Sequence, residues 1–290
     1  MVTEQEESAG EHRLVEGRFG RAHCLDDGPP SAPVAVVLHG LGSRVEEIFA
    51  GLGPTLRAAG FRVVAIDRPG YGASDPLPPP AMCPAGQAQW LADVLVALDI
   101  QDVAVVVGHS YGAAVALRLA ARLRRRPRGL VLVNPFCRPT RPAAVPLMRM
   151  SVAPLVGPIM RQRIIPAISG PLVRSALVRA CAPDPVPSTL AETAAEALVQ
   201  DSAVRSMAAE LSGYNSDVGA LPATRANLAC PVVILSGAGD RVIEGREHAE
   251  WLTSFLPRAQ HRCVPGGHML HHVRPDLVRD ALRDVMASAA

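Results

Sequence analysis

The sequence contains no lysine, so every one of its 29 lysine-or-arginine positions is an arginine. These arginines face 27 acidic residues, and the formal net charge at pH 7 is only +2. Domains that bind nucleic acid usually concentrate a clear excess of positive charge on one face. The composition therefore argues against a nucleic-acid partner.

Closely spaced cysteine pairs are also missing. Six cysteines are spread along the chain without any C-x-x-C spacing. This distribution is typical of reduced, mostly buried thiols in the cytoplasm, because disulfide frameworks and zinc sites place their cysteines in recognisable patterns. We expect a cytoplasmic protein with no disulfide framework and no metal site.

Neither a secretory leader nor a long apolar run is evident. The first 12 residues are acidic and polar, whereas a secretory leader is basic and then apolar. The richest apolar stretch, 143–160, is interrupted by Arg149 and several prolines, and a membrane-spanning helix needs roughly 20 apolar residues. We expect a flexible tail over 1–12 and no stable membrane insertion.

What the sequence does contain is an alternation of strand and helix patterns. Short β-branched runs bounded by turn residues are typical of strands covered on both faces of a parallel sheet, and helical patterns separate them. The order predicts an α/β fold, a mostly parallel central sheet flanked by helices. A looser alternation over 13–25 predicts a strand pair at the sheet edge. The strands are expected at 34–38, 62–66, 103–107, 129–133, 231–236 and 260–264, and the helices at 45–59, 86–98, 111–124, 246–255 and 275–286.

The alternation stops in the middle of the chain. Residues 136–228 contain many prolines and amphipathic pieces but no convincing strand, which predicts an inserted helical cap, or lid. The core domain would then comprise 13–135 and 229–290. A cap inserted there must arch over the strand ends, so its residues are expected to wall a binding pocket.

The cap offers aliphatic and flexible side chains for such a wall, including Met148, Ile159 and Met160. The alternative is that they simply pack the cap on itself. The first half of the cap also carries seven arginines without an intervening carboxylate. Such a run could steer anionic substrates, contact a lipid surface, or form a solvated face.

The most informative stretch is Gly108-His109-Ser110-Tyr111-Gly112, which follows a buried strand and begins a helix. Small residues beside Ser110 are what a sharp strand-to-helix turn requires sterically, and that turn exposes a nucleophile. The same pattern could also be an ordinary glycine turn. A serine hydroxyl needs a base within hydrogen-bond reach and a third group that orients the base.

Two further strand ends supply candidates for those partners. His268 follows the last strand behind two glycines, and Asp240 follows the strand 231–236. Asp240 could also be a turn or N-cap aspartate, and Glu244 lies close by as a rival acid. An oxyanion needs backbone N–H donors, for which Tyr111 and Leu41 are expected to serve.

These segments resemble the α/β-hydrolase superfamily, in particular its cap-bearing serine hydrolase and esterase branch. The matching motifs are HGLG, DRPGYGASD, GHSYG, GAGDRVI and PGGHMLHHVRP, in that order along the chain. The resemblance implies the α/β-hydrolase fold and a role for each residue of the catalytic site. Ser110 would be the nucleophile, Asp240 the acid and His268 the base, with Leu41 and Tyr111 as oxyanion donors. We also expect His39, Gly40 and His109 to lie near the substrate.

We therefore expect a cofactor-free serine hydrolase that cleaves carboxylic esters of small or medium apolar substrates through an acyl-enzyme. A serine in the turn argues against the dehalogenase and epoxide-hydrolase branches of the family it resembles, because those branches carry an aspartate at this position. Alternatives within the fold are a carbon–carbon bond hydrolase, a thioesterase or acyltransferase, a lactonase and a perhydrolase. A non-catalytic ligand receptor is an alternative of another class.

Overall fold

The computed structural model of the protein describes residues 10–17, 20–140, 145–191 and 200–288. Most of the tail expected over 1–12 therefore lies outside the described residues. The elements of the first half alternate as the sequence predicts. They are β1 (Glu11–Gly17), β2 (Gly20–Asp27), β3 (Val34–Leu38), α1 (Val45–Ala58), β4 (Arg62–Ile66), α2 (Pro84–Ala97), β5 (Val103–His109), α3 (Tyr111–Arg122) and β6 (Gly129–Val133).

A helical insertion follows β6, and the sheet then resumes. The described helices of the insertion are α4 (Val145–Ser151), α5 (Gly157–Cys181) and α6 (Asp201–Gly219), followed by a 3-10 turn at Leu221–Asn227. The middle of α5, Met160–Ile164, is a π-helical turn. The remaining elements are β7 (Val232–Gly237), α7 (Gly245–Thr253), β8 (Ala259–Val264), α8 (Leu270–Val273) and α9 (Pro275–Ala287).

All eight strands form one sheet in the order β1-β2-β4-β3-β5-β6-β7-β8. The hairpin of β1 and β2 is antiparallel and pairs antiparallel with β4, while the other neighbouring strands are parallel. Every residue of β3, β5, β6 and β7 is buried, as strands covered by helices on both faces must be. The mostly parallel sheet expected from the sequence is confirmed, together with the strand pair at its edge.

Alternate strand residues divide the core into two apolar layers, because successive side chains of a strand point to opposite faces. Val36, Val106 and Leu132 pack on one face with α2, α3 and α7. Val37, Val105 and Val131 pack on the other face with α1 and α9. The carboxyl ends of the parallel strands consequently meet at one edge of a rigid sheet, where the insertion lies.

The insertion is fixed to the core by a buried ion pair. The guanidinium of Arg68, in the loop after β4, contacts the Glu210 carboxylate in α6, and both side chains are completely buried. Gln87 of α2 also donates a hydrogen bond to Glu210, at 2.6 Å, and the Tyr71 hydroxyl donates another. Burial raises the pKa of the Glu210 carboxyl, and the positive charge of Arg68 opposes that effect.

One helix of the insertion is unusually apolar. Among the described residues, α5 is long and apolar enough to cross a membrane by length and composition, with a mean hydropathy of 1.3 over 18 residues. Prolines and arginines divide this helix into short apolar pieces, while its mean hydropathy stays high. Only 17% of that window is buried, so most of this apolar helix faces away from the protein.

Replacing Glu210 with alanine should destabilise the protein strongly. The substitution leaves the Arg68 guanidinium buried without its counter-charge, which typically costs about 3–5 kcal/mol. The matched control is Glu250→Ala, which removes the exposed Arg246–Glu250 ion pair and should cost about 0–1 kcal/mol. Chemical denaturation of both variants measures the difference in the free energy of unfolding. Equal losses of stability would show that the buried pair contributes no more than an exposed one.

Candidate active site

Ser110 lies at the turn between β5 and α3 in a strained backbone conformation. Its φ is +53° and its ψ is −118°, a region that residues other than glycine rarely adopt. The turn is held by hydrogen bonds on both sides, because the Ser110 N–H donates to the Val133 carbonyl and the Ser110 carbonyl accepts from the N–H of Phe136. The surrounding backbone therefore forces the serine side chain into a defined position.

The glycines on either side of Ser110 leave no room for a side chain. A Cβ on Gly112 would lie 2.5 Å from the carbonyl oxygens of Leu38 and His39, and one on Gly108 would lie 2.6 Å from the Gly112 carbonyl oxygen. These are backbone atoms that cannot move away without shifting the sheet. The steric interpretation of the glycines in the sequence thus agrees with the packing.

His268 and Asp240 meet at the same edge of the sheet. Nδ1 of His268 lies 2.7 Å from Oδ2 of Asp240. The other carboxylate oxygen accepts backbone N–H groups from Val242 at 2.8 Å and Ile243 at 3.1 Å. Burial by itself would raise the pKa of Asp240, but the attraction of His268 and these hydrogen bonds together hold the pKa below its usual value.

Ser110 and His268 line one cavity of about 530 Å³. No hydrogen bond joins the Ser110 hydroxyl to His268 in the described part of the chain, a separation common in sites without substrate. Glu244 also lines the cavity, but it is exposed and no hydrogen bond connects it to His268. The structure therefore brings Asp240, and not Glu244, to the imidazole.

The loop after β3 closes the cavity beside Ser110. A Cβ on Gly40 would lie 3.2 Å from the Cβ of Ser110, so the backbone of this loop passes directly next to the serine. Leu41 lines the cavity, and Tyr111 is the first residue of α3. Neither backbone N–H donates to another described residue, which leaves both able to donate a hydrogen bond to an oxyanion.

His39 shapes this loop rather than the cavity. It is completely buried, its Nδ1 donates to the Gly40 carbonyl at 2.9 Å, and its Nε2 accepts the Arg68 backbone N–H at 2.9 Å. Burial lowers the pKa of His39 to about 3, so the ring stays neutral. The Arg68 guanidinium then donates to the carbonyls of His39 and Gly40.

The residues expected at the substrate divide into two groups. Gly40 and His109 line the cavity. Met148, Ile159 and Met160 do not, and neither does His39. Ile159 is 58% exposed on the outside of the cap, and Met160 is buried inside it. The apolar lining comes instead from Leu177, Leu190 and Leu211 of the insertion, from Met269 beside His268, and from Phe136 shortly after β6.

Sequence reasoning missed the residues that hold the His268 loop. The side-chain amide of Asn134, at the end of β6, donates to the carbonyls of Gly267 at 3.0 Å and His268 at 2.8 Å. The Nε2 of His109 lies 3.1 Å from the same His268 carbonyl, and burial lowers the pKa of His109 well below its usual value. The position of Asn134 at a strand end was the available signal.

Glu47 lines the cavity and contacts the segment that follows His268. Both His271 and His272 form hydrogen bonds with its carboxylate through Nε2. Burial would raise the pKa of Glu47, but these imidazoles hold it well below its usual range. The three side chains have a geometry that could hold a metal ion, although their facing atoms already bond to one another. No feature of the sequence pointed to Glu47.

Comparison with known proteins identifies the relatives of this chain. Residues 35–281 match the alpha/beta hydrolase family. The chain is 31% identical over 269 residues to the magnesium-chelatase 30 kDa subunit of Rhodobacter capsulatus, covering 87% of this chain and 86% of that protein. Epoxide hydrolase B of Mycobacterium tuberculosis is 37% identical over 131 residues, 43% of this chain and 36% of its own length.

The solved structures include a carboxylesterase from Bacillus subtilis. It superposes with a TM-score of 0.74 at 17% identity, covering 97% of this chain and 93% of that one. At this identity the likeness concerns the fold alone, and it agrees with the sheet order and the helical layers described above.

A side chain at position 112 should damage both stability and the geometry at Ser110. Gly112→Ala places a methyl group against the carbonyl oxygens of Leu38 and His39, and such overpacking typically costs about 1–3 kcal/mol. Gly170→Ala is the matched control, because nothing lies within 4 Å of its added Cβ in α5. Helix propensity predicts a gain of up to about 1 kcal/mol there. Thermal denaturation that shows no difference would contradict the steric argument.

Proposed function

Because the chain belongs to the alpha/beta hydrolase family, we propose that it is a serine hydrolase that cleaves carboxylic esters of small or medium apolar substrates through an acyl-enzyme. The observation that carries the proposal is the hydrogen bond between Asp240 and His268 beside a cavity that also contains the strained Ser110. No cofactor is needed for this chemistry.

Ser110 attacks the ester carbonyl while Nε2 of His268 accepts the hydroxyl proton. The Asp240 carboxylate accepts the Nδ1–H, which fixes the tautomer and stabilises the imidazolium. The N–H groups of Leu41 and Tyr111 stabilise the negative oxygen of the tetrahedral intermediate. Collapse of the intermediate returns the proton to the leaving alcohol and leaves the acyl group on the serine. Water, activated by His268, then releases the acid and restores the serine hydroxyl.

The cavity supports an apolar acyl or alcohol group. Its volume of about 530 Å³ lies in the usual range for small-molecule sites, and aliphatic side chains from both the core and the cap line it. Arg138 and Arg179 lie on the lining as well, and Arg138 forms an ion pair with Glu247. The site combines an apolar interior with a charged margin.

The relative from Rhodobacter capsulatus supports a second candidate function, that of a subunit of a magnesium chelatase. The observation in its favour is that the similarity extends over 86% of that protein. Adding the chain or its Ser110→Ala variant to a magnesium-chelatase assay separates the candidates. Stimulation by both proteins would indicate a role in assembly, while stimulation by the unmodified chain alone would require the serine.

A fluorophosphonate probe should form a covalent adduct on Ser110. The probe reacts with serines that a neighbouring base activates, which is the role proposed for His268. Intact-mass measurement should show one adduct on the unmodified protein and none on Ser110→Ala. An adduct that survives the substitution would place the nucleophile elsewhere. Nitrophenyl esters of graded chain length then define the preferred acyl group.

The identity of the acid can be tested by two matched amide substitutions. Asp240→Asn should fold normally but lose about 10³ to 10⁴ in kcat, by analogy with the serine-protease triad. Glu244→Gln should leave kcat close to the unmodified value, because Asp240, and not Glu244, forms the hydrogen bond with His268. If Glu244→Gln abolished turnover while Asp240→Asn retained it, with unchanged melting curves, the acid would be misassigned.

A further inference from the structure

The exposed apolar side chains of this protein are concentrated on one part of the cap. Of thirteen large hydrophobic residues that are exposed in the described chain, ten lie within residues 145–181. Isolated exposed apolar residues are ordinary, but a concentration of this kind marks an interaction site. We call it the cap patch: Leu147, Met150, Val152, Leu155, Val156, Ile159, Ile164, Ile168, Leu172 and Val178.

The cap patch includes a continuous stripe along α5. Ile164, Ile168 and Leu172 recur at every fourth position, so they share one face of the helix, and they are 44%, 48% and 59% exposed. Val173 and Ala180 are buried on another face against the protein. The helix is therefore apolar on two faces, and packing within the protein explains only one of them.

The segment that carries the stripe contains arginines but no acidic residue. No aspartate or glutamate occurs between Phe136 and Pro183. Arg149, Arg163, Arg174 and Arg179 are exposed, and none of the four forms an ion pair with another described residue. An apolar face bordered by unpaired cations is the usual arrangement of helices that lie in the interface of an anionic membrane.

We propose that the cap patch docks on the surface of an anionic lipid bilayer. The stripe of α5 enters the acyl boundary, and the surrounding guanidinium groups contact the lipid phosphates and acidic headgroups. The helix lies along the surface and does not cross it. Its C-terminal end is held in the protein, since the Ala180 carbonyl accepts the backbone N–H groups of His268 at 2.6 Å and Met269 at 3.2 Å.

Docking in this way brings the cavity close to the lipid. Ala176, Leu177 and Arg179, which line the cavity, lie one to two turns beyond Leu172 on the same helix. Apolar molecules dissolved in the bilayer would thus meet the cavity without crossing bulk water. The docking surface itself does not depend on the ester chemistry proposed above.

A second copy of the chain is a less suitable occupant of the cap patch. In a two-fold symmetric dimer the same surface patches face each other, so the unpaired arginines of both copies would be brought together. The like charges would repel one another at close range, whereas an anionic surface neutralises them. Charge complementarity therefore selects the lipid.

Co-sedimentation with vesicles tests the proposal on the full chain. We expect the protein to pellet with vesicles in which about a quarter of the phosphatidylcholine is replaced by phosphatidylglycerol, but not with phosphatidylcholine alone. Binding should weaken as salt is added. The paired substitutions Ile168→Ser with Leu172→Ser, and Arg163→Gln with Arg174→Gln, should each lower the partition coefficient about tenfold.

Matched controls lie at the opposite end of the sheet. Val96 is 76% exposed at the end of α2, and Arg124 and Arg126 are exposed between α3 and β6. Val96→Ser, and Arg124→Gln with Arg126→Gln, should leave vesicle binding unchanged. Melting curves of every variant show whether it is folded.

Three results would overturn the proposal. The first is vesicle binding that does not depend on phosphatidylglycerol, and the second is an equal loss of vesicle binding in the cap variants and in the control variants. The third is a dimer that sedimentation velocity detects without lipid and that Ile168→Ser with Leu172→Ser dissociates. Ser110→Ala separates this proposal from the hydrolase assignment, because the variant should bind vesicles fully whether or not Ser110 is the nucleophile.

Discussion

The buried contact between Arg68 and Glu210 is the constraint on which the site depends. A guanidinium that is completely removed from water must find acceptors for its donors, and here the acceptors lie in three separate segments. Gln87 belongs to α2, Glu210 to the cap, and the carbonyls of His39 and Gly40 to the loop after β3. One side chain thereby fixes the cap and the proposed oxyanion loop to the same point of the core.

The consequence for the site is that its parts come from separate elements but hold a common position. The carbonyls of His39 and Gly40 are bonded to Arg68, so this loop keeps its peptide groups in one orientation beside Ser110. On the other side, Asn134 holds the His268 loop by two hydrogen bonds and accepts the N–H of Gly237 at 2.7 Å. Polar side chains buried at the strand ends thus perform the positioning, while apolar packing of the sheet supplies the rigidity.

The parts of this arrangement that could be predicted are those encoded locally. A buried strand, two glycines around Ser110, and an acid or histidine directly after a strand can all be recognised within a few residues, because parallel strands bring their carboxyl ends together. Arg68 and Glu210 are 142 positions apart, and Glu47 and His271 are 224 apart. Nothing local in the sequence indicates such partners, so these contacts required the structure.

The sequence does not predict the orientation of the cap helices, for a related reason. Amphipathic patterns reveal a buried face only when the opposite face is polar, and α5 is apolar on both. Ile159, assigned to a pocket wall from its aliphatic character, instead points outward, whereas Leu177 lines the cavity. A sequence rich in arginine and aliphatic residues is compatible with either orientation.

The attachment of α5 also limits how a substrate can enter. Because the Ala180 carbonyl bonds to the backbone of His268 and Met269, lifting the end of this helix would disturb the histidine loop. Lifting α6 would expose the Glu210 carboxylate and leave the buried Arg68 without a counter-charge. Such an opening has a high free-energy cost. A substrate path that leaves both helices in place preserves the hydrogen bonds of Ala180 and the ion pair of Arg68. Entry therefore favours side-chain movements at the margin of the cavity, near Arg138 and Arg179, over a hinged displacement of the whole cap.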